Sequence, residues 1–133
     1  MLAVITKFKL TALLLMAGVA GASATGPFIS LSTTDVSVGK GKATETLTDS
    51  VTIYNLGDST LSITNVVTGC RCTSVALPHT SIAPGDSVVM TVRFHDPKQP
   101  PGRFRKMIRI RSNDPASPTR LFISGTILPD RKL

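Results

Sequence analysis

The stretch Ser87–His95 reads SVVMTVRFH, and its alternation decides the fold class of this 133-residue chain. Every second residue from Val88 to Phe94 is apolar, and the residues between them are mostly polar. Side chains two residues apart in a β-strand project from the same face, so the segment predicts a strand with one buried face. The same alternation in Phe104–Ser112 and Thr119–Ile127 predicts antiparallel sheets packed face to face. The residues expected to be buried between them are Val92, Phe94, Ile108, Ile110, Leu121 and Ile123.

Further short runs of β-forming residues lie on both sides of this stretch, separated by turn residues such as Gly57, Pro84 and Gly85. No segment of residues 25–133 combines helical length with a 3.6-residue apolar period. The predicted strands are Phe28–Thr33, Thr34–Val38, Thr46–Asn55, Leu61–Val67, Thr73–Leu77, Ser87–His95, Phe104–Ser112 and Thr119–Ile127. Many short strands with regular turns predict an all-β, immunoglobulin-like β-sandwich of seven or eight strands.

Residues 1–24 differ from the rest of the chain and have the features of a secretory signal peptide. Lys7 and Lys9 precede the apolar run Leu10–Ala20, and the small residues Ala22-Ser23-Ala24 fit a cleavage site. The alternative is an uncleaved anchor, but the run is shorter than the ~20 residues that span a bilayer. We therefore expect cleavage after Ala24, no membrane insertion of the product, and a periplasmic or secreted location.

Cleavage leaves residues 25–133, a length that predicts a single sandwich domain. Two of the 15 Lys and Arg residues leave with the signal, so 13 remain against 8 Asp and Glu, a net charge of +5. This charge favours association with anionic surfaces such as phosphate-bearing polymers of the cell envelope. Nucleic acid is not an expected partner of an exported protein.

From Ile53 onward, several short motifs follow one another with characteristic order and spacing. They are Ile53-Tyr54-Asn55-Leu56-Gly57, Leu61-Ser62-Ile63, Thr68-Gly69-Cys70-Arg71-Cys72-Thr73, Ile82-Ala83-Pro84-Gly85-Asp86, Val92-Arg93-Phe94, Gly102-Arg103-Phe104-Arg105-Lys106, Ser112-Asn113-Asp114 and Leu121-Phe122-Ile123-Ser124-Gly125. From Val51 to Ile127 the chain thereby resembles the bacterial domain-of-unknown-function family 1573, a relative of the ASPM–Hydin immunoglobulin-like domains. Arg71 stands where that family usually has glycine. The resemblance implies an exported sandwich module without an established reaction.

Cys70 and Cys72 are the two cysteines of the chain. In an extended strand they would lie about 6.6 Å apart with parallel side chains, so a disulfide between them requires a bent backbone. Three interpretations stay open. The pair forms a structural disulfide, as an oxidising compartment favours; it binds Cu(I) or Zn(II) as thiolates; or it is a redox-active thiol pair.

His79 follows the cysteines by a few residues, which makes Cys70, Cys72 and His79 a candidate ligand set for a metal ion. The alternative is a solvated loop histidine, since the spacing matches no standard zinc pattern. No Gly-x-Ser-x-Gly motif occurs, and neither histidine has a serine or aspartate at a spacing that indicates a catalytic triad. We therefore expect no catalytic residues and no enzymatic activity.

A dense group of basic residues lies in the predicted strand Phe104–Ser112 and just before it. Its members are Arg103, Arg105, Lys106, Arg109 and Arg111. Alternation places Arg105, Arg109 and Arg111 on one solvent face. Such charges either keep a sheet from pairing with other chains, or form an anion-binding surface for another protein's acidic patch or an envelope polymer.

The sequence therefore predicts an exported, non-enzymatic binding or structural module of the bacterial cell envelope. The first alternative is a metal-binding or thiol-redox protein centred on Cys70 and Cys72. A second is an assembly chaperone that offers a strand edge to a client protein.

Overall fold

The computed structural model describes residues 25–130, which form nine β-strands in two sheets. The strands are β1 (Ile29–Leu31), β2 (Asp35–Gly41), β3 (Leu47–Asn55), β4 (Leu61–Val67), β5 (Thr73–Ala76), β6 (Ser81–Ile82), β7 (Ser87–Phe94), β8 (Gly102–Ser112) and β9 (Thr119–Ile127). The predicted signal peptide, residues 1–24, lies outside the described residues and stays a prediction. Residues 25–130 include no helix with the length and hydropathy needed to cross a bilayer.

The first sheet has the strand order β1-β3-β7-β5, and the second has the order β2-β9-β8-β4-β6. Neighbouring strands are antiparallel except for β2 and β9, which are parallel. The prediction of purely antiparallel sheets is therefore wrong at this pair. Residues 32–34 carry the chain from the first sheet to the second. Strand β2 therefore does not pair with β1 but forms backbone hydrogen bonds with β9. Alternation of side chains reports which face is buried but not the direction of a neighbouring strand.

The predicted strands match the observed ones closely, and Leu61–Val67 and Thr119–Ile127 have the predicted bounds. The prediction missed β6, which pairs with β4 through Leu61 and Ile82. A strand of two residues is too short to show alternation, which is why it has no signal in the sequence.

The core lies between the two sheets and is aliphatic apart from two phenylalanines, Phe94 and Phe104. Their rings stack with centroids 4.0 Å apart. Six residues predicted to point inward are each at most 1% exposed: Val92, Phe94, Ile108, Ile110, Leu121 and Ile123. Gly125 lies opposite Phe104 on β9, where a Cβ atom would come within 2.7 Å of the phenylalanine ring. Glycine thus makes room for this ring in the core.

Asn55 is a fully buried polar residue at the end of β3. Its Nδ2 donates hydrogen bonds to the carbonyl oxygens of Ser59 (2.8 Å) and Ile82 (2.9 Å). Its Oδ1 accepts hydrogen bonds from the backbone N–H groups of Gly57 (3.0 Å) and Phe28 (3.3 Å). One side chain therefore holds together three segments that are distant in sequence.

Asn113 and Asp114 have the same role in the connection between β8 and β9. The Asp114 carboxylate accepts hydrogen bonds from the N–H groups of Ile29 (2.9 Å) and Ala116 (2.7 Å). Asn113 Oδ1 accepts the N–H of Ser62 at 2.8 Å. Asn55, Asn113 and Asp114 are called the polar loop network below. Each belongs to one of the short motifs on which the family resemblance rests, so these motifs have a structural role.

Candidate functional site

The outer face of the second sheet carries the basic residues of β8. Inward-facing Phe104, Ile108 and Ile110 are buried, so the alternate positions Arg105 and Arg109 point to solvent. Arg103 and Arg111 follow the same alternation and are exposed as well. The structure thus brings the four predicted arginines onto one face. Lys106 lies on the other side of β8, opposite the buried Ile123, and is half-buried.

Two further cations join this face from the neighbouring strands. Arg120 of β9 lies directly opposite Arg109. Lys40 of β2 lies opposite Thr126, which in turn lies opposite Arg103. We call the resulting set the cationic face: Lys40, Arg103, Arg105, Arg109, Arg111 and Arg120. Alternation within Thr119–Ile127 could have placed Arg120 here, whereas Lys40 depends on the parallel β2–β9 pairing.

These charges have little compensation within the chain. Across residues 25–130, the ion pair found is between Arg105 and Asp35, 3.6 Å apart with side chains 59% and 53% exposed. Arg105 also lies over the ring of Phe122, 3.8 Å from its centroid. An exposed ion pair contributes about 0–1 kcal/mol. Folding therefore gains little from this group of cations.

Arg109 and Arg120 lie in an unfavourable position relative to each other. The N–H of Phe122 donates to the carbonyl oxygen of Thr34, so the N–H and C=O groups of Phe122 point toward β2 and away from β8. Backbone groups two residues apart in a strand point the same way, so those of Arg120 also point away from β8. Arg109 and Arg120 thus form a non-hydrogen-bonded pair, in which opposite Cα atoms are about 4.5 Å apart and side chains are close. Like charges at such positions destabilise a sheet.

A groove of about 510 Å³ crosses the cationic face between β2 and β8. Ser37, Ser124 and Thr126 line it together with its cations, and the Ser124 hydroxyl donates to the Asp35 carboxylate at 3.2 Å. Those cations are Lys40, Arg103 and Arg105. Guanidinium groups offer several N–H donors in a plane and bind carboxylates and phosphates in a bidentate manner. The groove therefore has the chemistry of an anion-binding site.

Cys70 and Cys72 form a disulfide within the turn between β4 and β5. Their Cα atoms are 5.2 Å apart, closer than in an extended strand, so the bend that a disulfide requires is present. Cys70 Sγ also accepts the backbone N–H of Cys72 at 3.1 Å. Cys72 belongs to the buried core and Cys70 is half-buried, so the bond ties the turn to the sandwich.

The predicted metal-ligand set Cys70, Cys72 and His79 is not assembled. Strand β5 carries the chain away from the turn before His79, which is exposed in the following loop. The histidine beside the disulfide is His95, whose N–H donates to the carbonyl oxygen of Cys72 at 2.8 Å. In the described part of the chain, no three His, Cys, Asp or Glu residues are placed to hold a metal ion.

Two packed sheets with this topology define the chain as an immunoglobulin-like β-sandwich module. A protein of unknown function from Porphyromonas gingivalis W83 has the same fold, with a TM-score of 0.67 and 24% identity, over 80% of this chain and 49% of that one. The chain belongs to the family DUF1573, a family of unknown function whose model matches residues 29–127. The family resemblance is thereby confirmed, and the match begins well before Val51.

Two further structures show how widely this fold is shared. The PapD-like domain 7 of human CEP192 matches with a TM-score of 0.60 and 8% identity, over 83% of this chain and 96% of the domain. The VesB protease of Vibrio cholerae matches with a TM-score of 0.55 and 16% identity, over 74% of this chain and 31% of the protease. Similarity at these identities concerns the fold alone. The relationship to the ASPM–Hydin domains stays a prediction.

The chain spans about half the length of the Porphyromonas protein and less than a third of VesB. A comparison with curated proteins gave no match.

Proposed function

We propose that this protein is a non-enzymatic binding module of the bacterial cell envelope, exported with cleavage after Ala24, and that its cationic face binds an anionic partner. The family assignment and the immunoglobulin-like sandwich support a module of this kind. Sandwiches of this class bind through sheet faces or through loops at one end.

The observation that carries the proposal is the concentration of six cations on one sheet face, of which only Arg105 has an ion-pair partner among residues 25–130. Arg109 and Arg120 are held opposite each other although this arrangement opposes folding. A nearby anion would remove the repulsion, because it interacts favourably with both guanidinium groups. The cationic groove between β2 and β8 adds the hydroxyl groups of Ser37 and Thr126, which can donate to an extended anion that also reaches this pair.

Binding of polyphosphate and of poly-glutamate to the purified protein tests the anionic partner. The charge-reversal variant Arg103→Glu/Arg109→Glu should lose at least about tenfold in affinity for these probes, and binding should weaken as salt rises. The matched control Arg93→Glu/Lys98→Glu makes the same charge change outside the cationic face. Equal losses in both variants would show a nonspecific charge effect and contradict the proposal.

Intact-mass analysis of protein recovered from the periplasm or medium tests export. The expected N-terminus is Thr25. A mass that retains Met1 to Ala24 would contradict the proposed cleavage.

The disulfide supports a second candidate function, a thiol-redox protein. Cys72 is buried whereas Cys70 is half-buried, and the Cys72 N–H bonded to Cys70 Sγ would stabilise a thiolate formed there on reduction. Titration of the protein in glutathione buffers tests this candidate. A potential in the range of thiol oxidoreductases supports it, whereas a value below about −300 mV is typical of a structural disulfide and excludes it.

A further inference from the structure

Strand β8 extends well beyond its neighbour β4. The pairing of the two strands ends where Val67 lies opposite Arg109. Gly69 then adopts a positive φ of 69° and the chain turns toward the disulfide. At the edge of β8 that faces β4, the part from Gly102 to Ile108 consequently has no strand partner among residues 25–130. At its other edge, the same part pairs with β9 throughout.

The hydrogen bonds of β9 show which backbone groups of β8 face this gap. The N–H of Phe122 donates to Thr34 in the direction of β2, so Met107 opposite Phe122 belongs to a non-hydrogen-bonded pair. The N–H and C=O of Met107 therefore point away from β9. By alternation the same holds for Arg105 and Arg103. Three N–H and three C=O groups thus point into the gap without a backbone partner among the described residues.

The gap is a groove of about 500 Å³. Val67, Thr68 and Cys70 border it on one side, and Arg105 and Met107 on the other. The disulfide in the bordering turn limits the conformations of that wall. Lys106 and Arg109 also line the groove, so its electrostatic potential is positive.

We propose that this edge of β8 binds an extended acidic segment of a partner protein as an added β-strand. The inference rests on the proposed function, since it names the anionic partner of the cationic face. Backbone hydrogen bonds to Arg103, Arg105 and Met107 provide the affinity, and side chains at alternate positions provide the specificity. Residues opposite Arg103 and Arg105 would lie about 4.5–5.5 Å away between Cβ atoms, which favours Asp or Glu at alternate positions of the segment.

Two other occupants fit this edge less well. A phosphate-bearing polymer satisfies the charges but has no N–H groups with which to continue the sheet. A second copy of this chain, paired edge to edge through β8, would place arginines opposite arginines, an arrangement that natural sheets use to prevent such pairing.

The experiment uses the purified protein and a seven-residue capped peptide with Glu at alternate positions and Val or Thr between them. Strand addition should slow the amide hydrogen exchange of Arg103, Arg105 and Met107 by at least about tenfold. The amides of Phe104 and Lys106 already face β9 and serve as internal controls, because their exchange should change much less.

Two N-methylated peptides separate strand addition from simple charge attraction. One carries N-methyl groups at the Glu positions and the other at the positions between them. Successive N–H groups of a strand point to opposite edges, so only one of the two peptides loses the N–H groups that are directed at β8. We expect their affinities to differ by at least about tenfold at equal charge. Equal affinities, or peptide binding without protection of the three amides, would overturn the inference.

A protein variant gives a second test. Met107→Pro removes an N–H from the free edge, and this N–H takes no part in the β9 ladder. The variant should lose peptide binding and keep polyphosphate binding. If the native protein binds polyphosphate but not the peptide, the proposal of an added strand is wrong, whereas the proposal of an anionic partner stands. Failure of both probes overturns both proposals. If the variant does not fold, the hydrogen exchange of Arg103, Arg105 and Met107 in the native protein tests strand addition instead.

Discussion

The polar loop network and the cationic face both contain polar side chains, but they use them in opposite ways. Asn55 and Asp114 are buried, and each of their polar side-chain atoms has a hydrogen-bond partner within the chain. Arg109 and Arg120 are exposed, lie opposite each other, and have no ion-pair partner in the described residues. Polar groups of the first kind hold loops in place, whereas those of the second kind are available for binding.

The difference helps to divide the family motifs by role. Asn55 and Asp114 come from motifs on which the family resemblance rests, and the structure explains them by folding alone. The arginines of β8 have no comparable role in folding, which agrees with the proposed binding role. The comparison makes quantitative predictions. Substitutions in the polar loop network should lower the free energy of unfolding clearly, whereas substitutions on the cationic face should leave it almost unchanged.

The largest effect is expected for Asn55→Ala. This change removes the partner of one buried carbonyl group, that of Ile82, and of three part-buried groups, the Ser59 carbonyl and the N–H groups of Gly57 and Phe28. Each unsatisfied buried group costs about 1–3 kcal/mol, with partial relief from entering water. We expect a loss of about 3–5 kcal/mol in the free energy of unfolding, measured by denaturant titration. The control Asn65→Ala removes an exposed asparagine of β4 and should cost less than about 0.5 kcal/mol.

Asp114→Ala should have the next largest effect. Its carboxylate accepts two backbone hydrogen bonds, one of which fixes Ile29 at the start of β1. Hydrogen bonds to a charged group contribute about 1.5–3 kcal/mol each. Both bonds are only part-buried, so water can replace the carboxylate in part, and a net loss of about 2–3 kcal/mol is expected. Asp86→Ala, in an exposed turn, is the matched control. Similar losses for both aspartates would mean that burial of Asp114 does not matter.

Removal of the disulfide should have an intermediate effect. The loop closed by Cys70 and Cys72 is so short that the bond removes little entropy from the unfolded chain, about 1–2 kcal/mol. We expect Cys70→Ser/Cys72→Ser to lower stability by this amount in thermal or denaturant melts. A loss above about 3 kcal/mol would place the disulfide with the polar loop network, as a main determinant of the fold.

The smallest effect is expected on the cationic face. Arg120→Ala removes the repulsion with Arg109, so stability should change by less than about 0.5 kcal/mol or rise slightly, more so at low ionic strength. Melts at two salt concentrations measure this difference. A clear loss of stability would show that Arg120 contributes to folding, and would weaken the distinction between the two regions.

Sequence patterns predicted the fold in detail because alternation and turn residues are local signals. The inward positions assigned in β7, β8 and β9, among them Phe94 and Ile108, were correct, but Phe104 of β8 was not assigned. The parallel pairing of β2 with β9 had no such signal, since it depends on how distant segments meet. The two-residue strand β6 was missed because it is too short for a pattern.

The candidate site was predictable only in part. Arg103, Arg105, Arg109 and Arg111 were identified because they are close together in one strand. Lys40 reaches the same face through a pairing between opposite ends of the chain, which no local pattern encodes. Of the two interpretations of His79, the structure shows the solvated loop histidine, because strand β5 separates it from the cysteines. The histidine beside the disulfide is His95, which no sequence pattern indicated.

The parallel pairing of β2 with β9 has a consequence for how the chain folds. Asp35 of β2 pairs with Phe122 of β9, so the second sheet cannot be completed until almost the whole sequence is present. Contacts of such sequence separation slow folding, and all-β sandwiches typically fold in milliseconds to seconds. A chain that ends before Thr119 would leave both β2 and β8 with open edges. Such a fragment should be prone to aggregation, whereas β9, when present, pairs with the edges of β2 and β8 that face it.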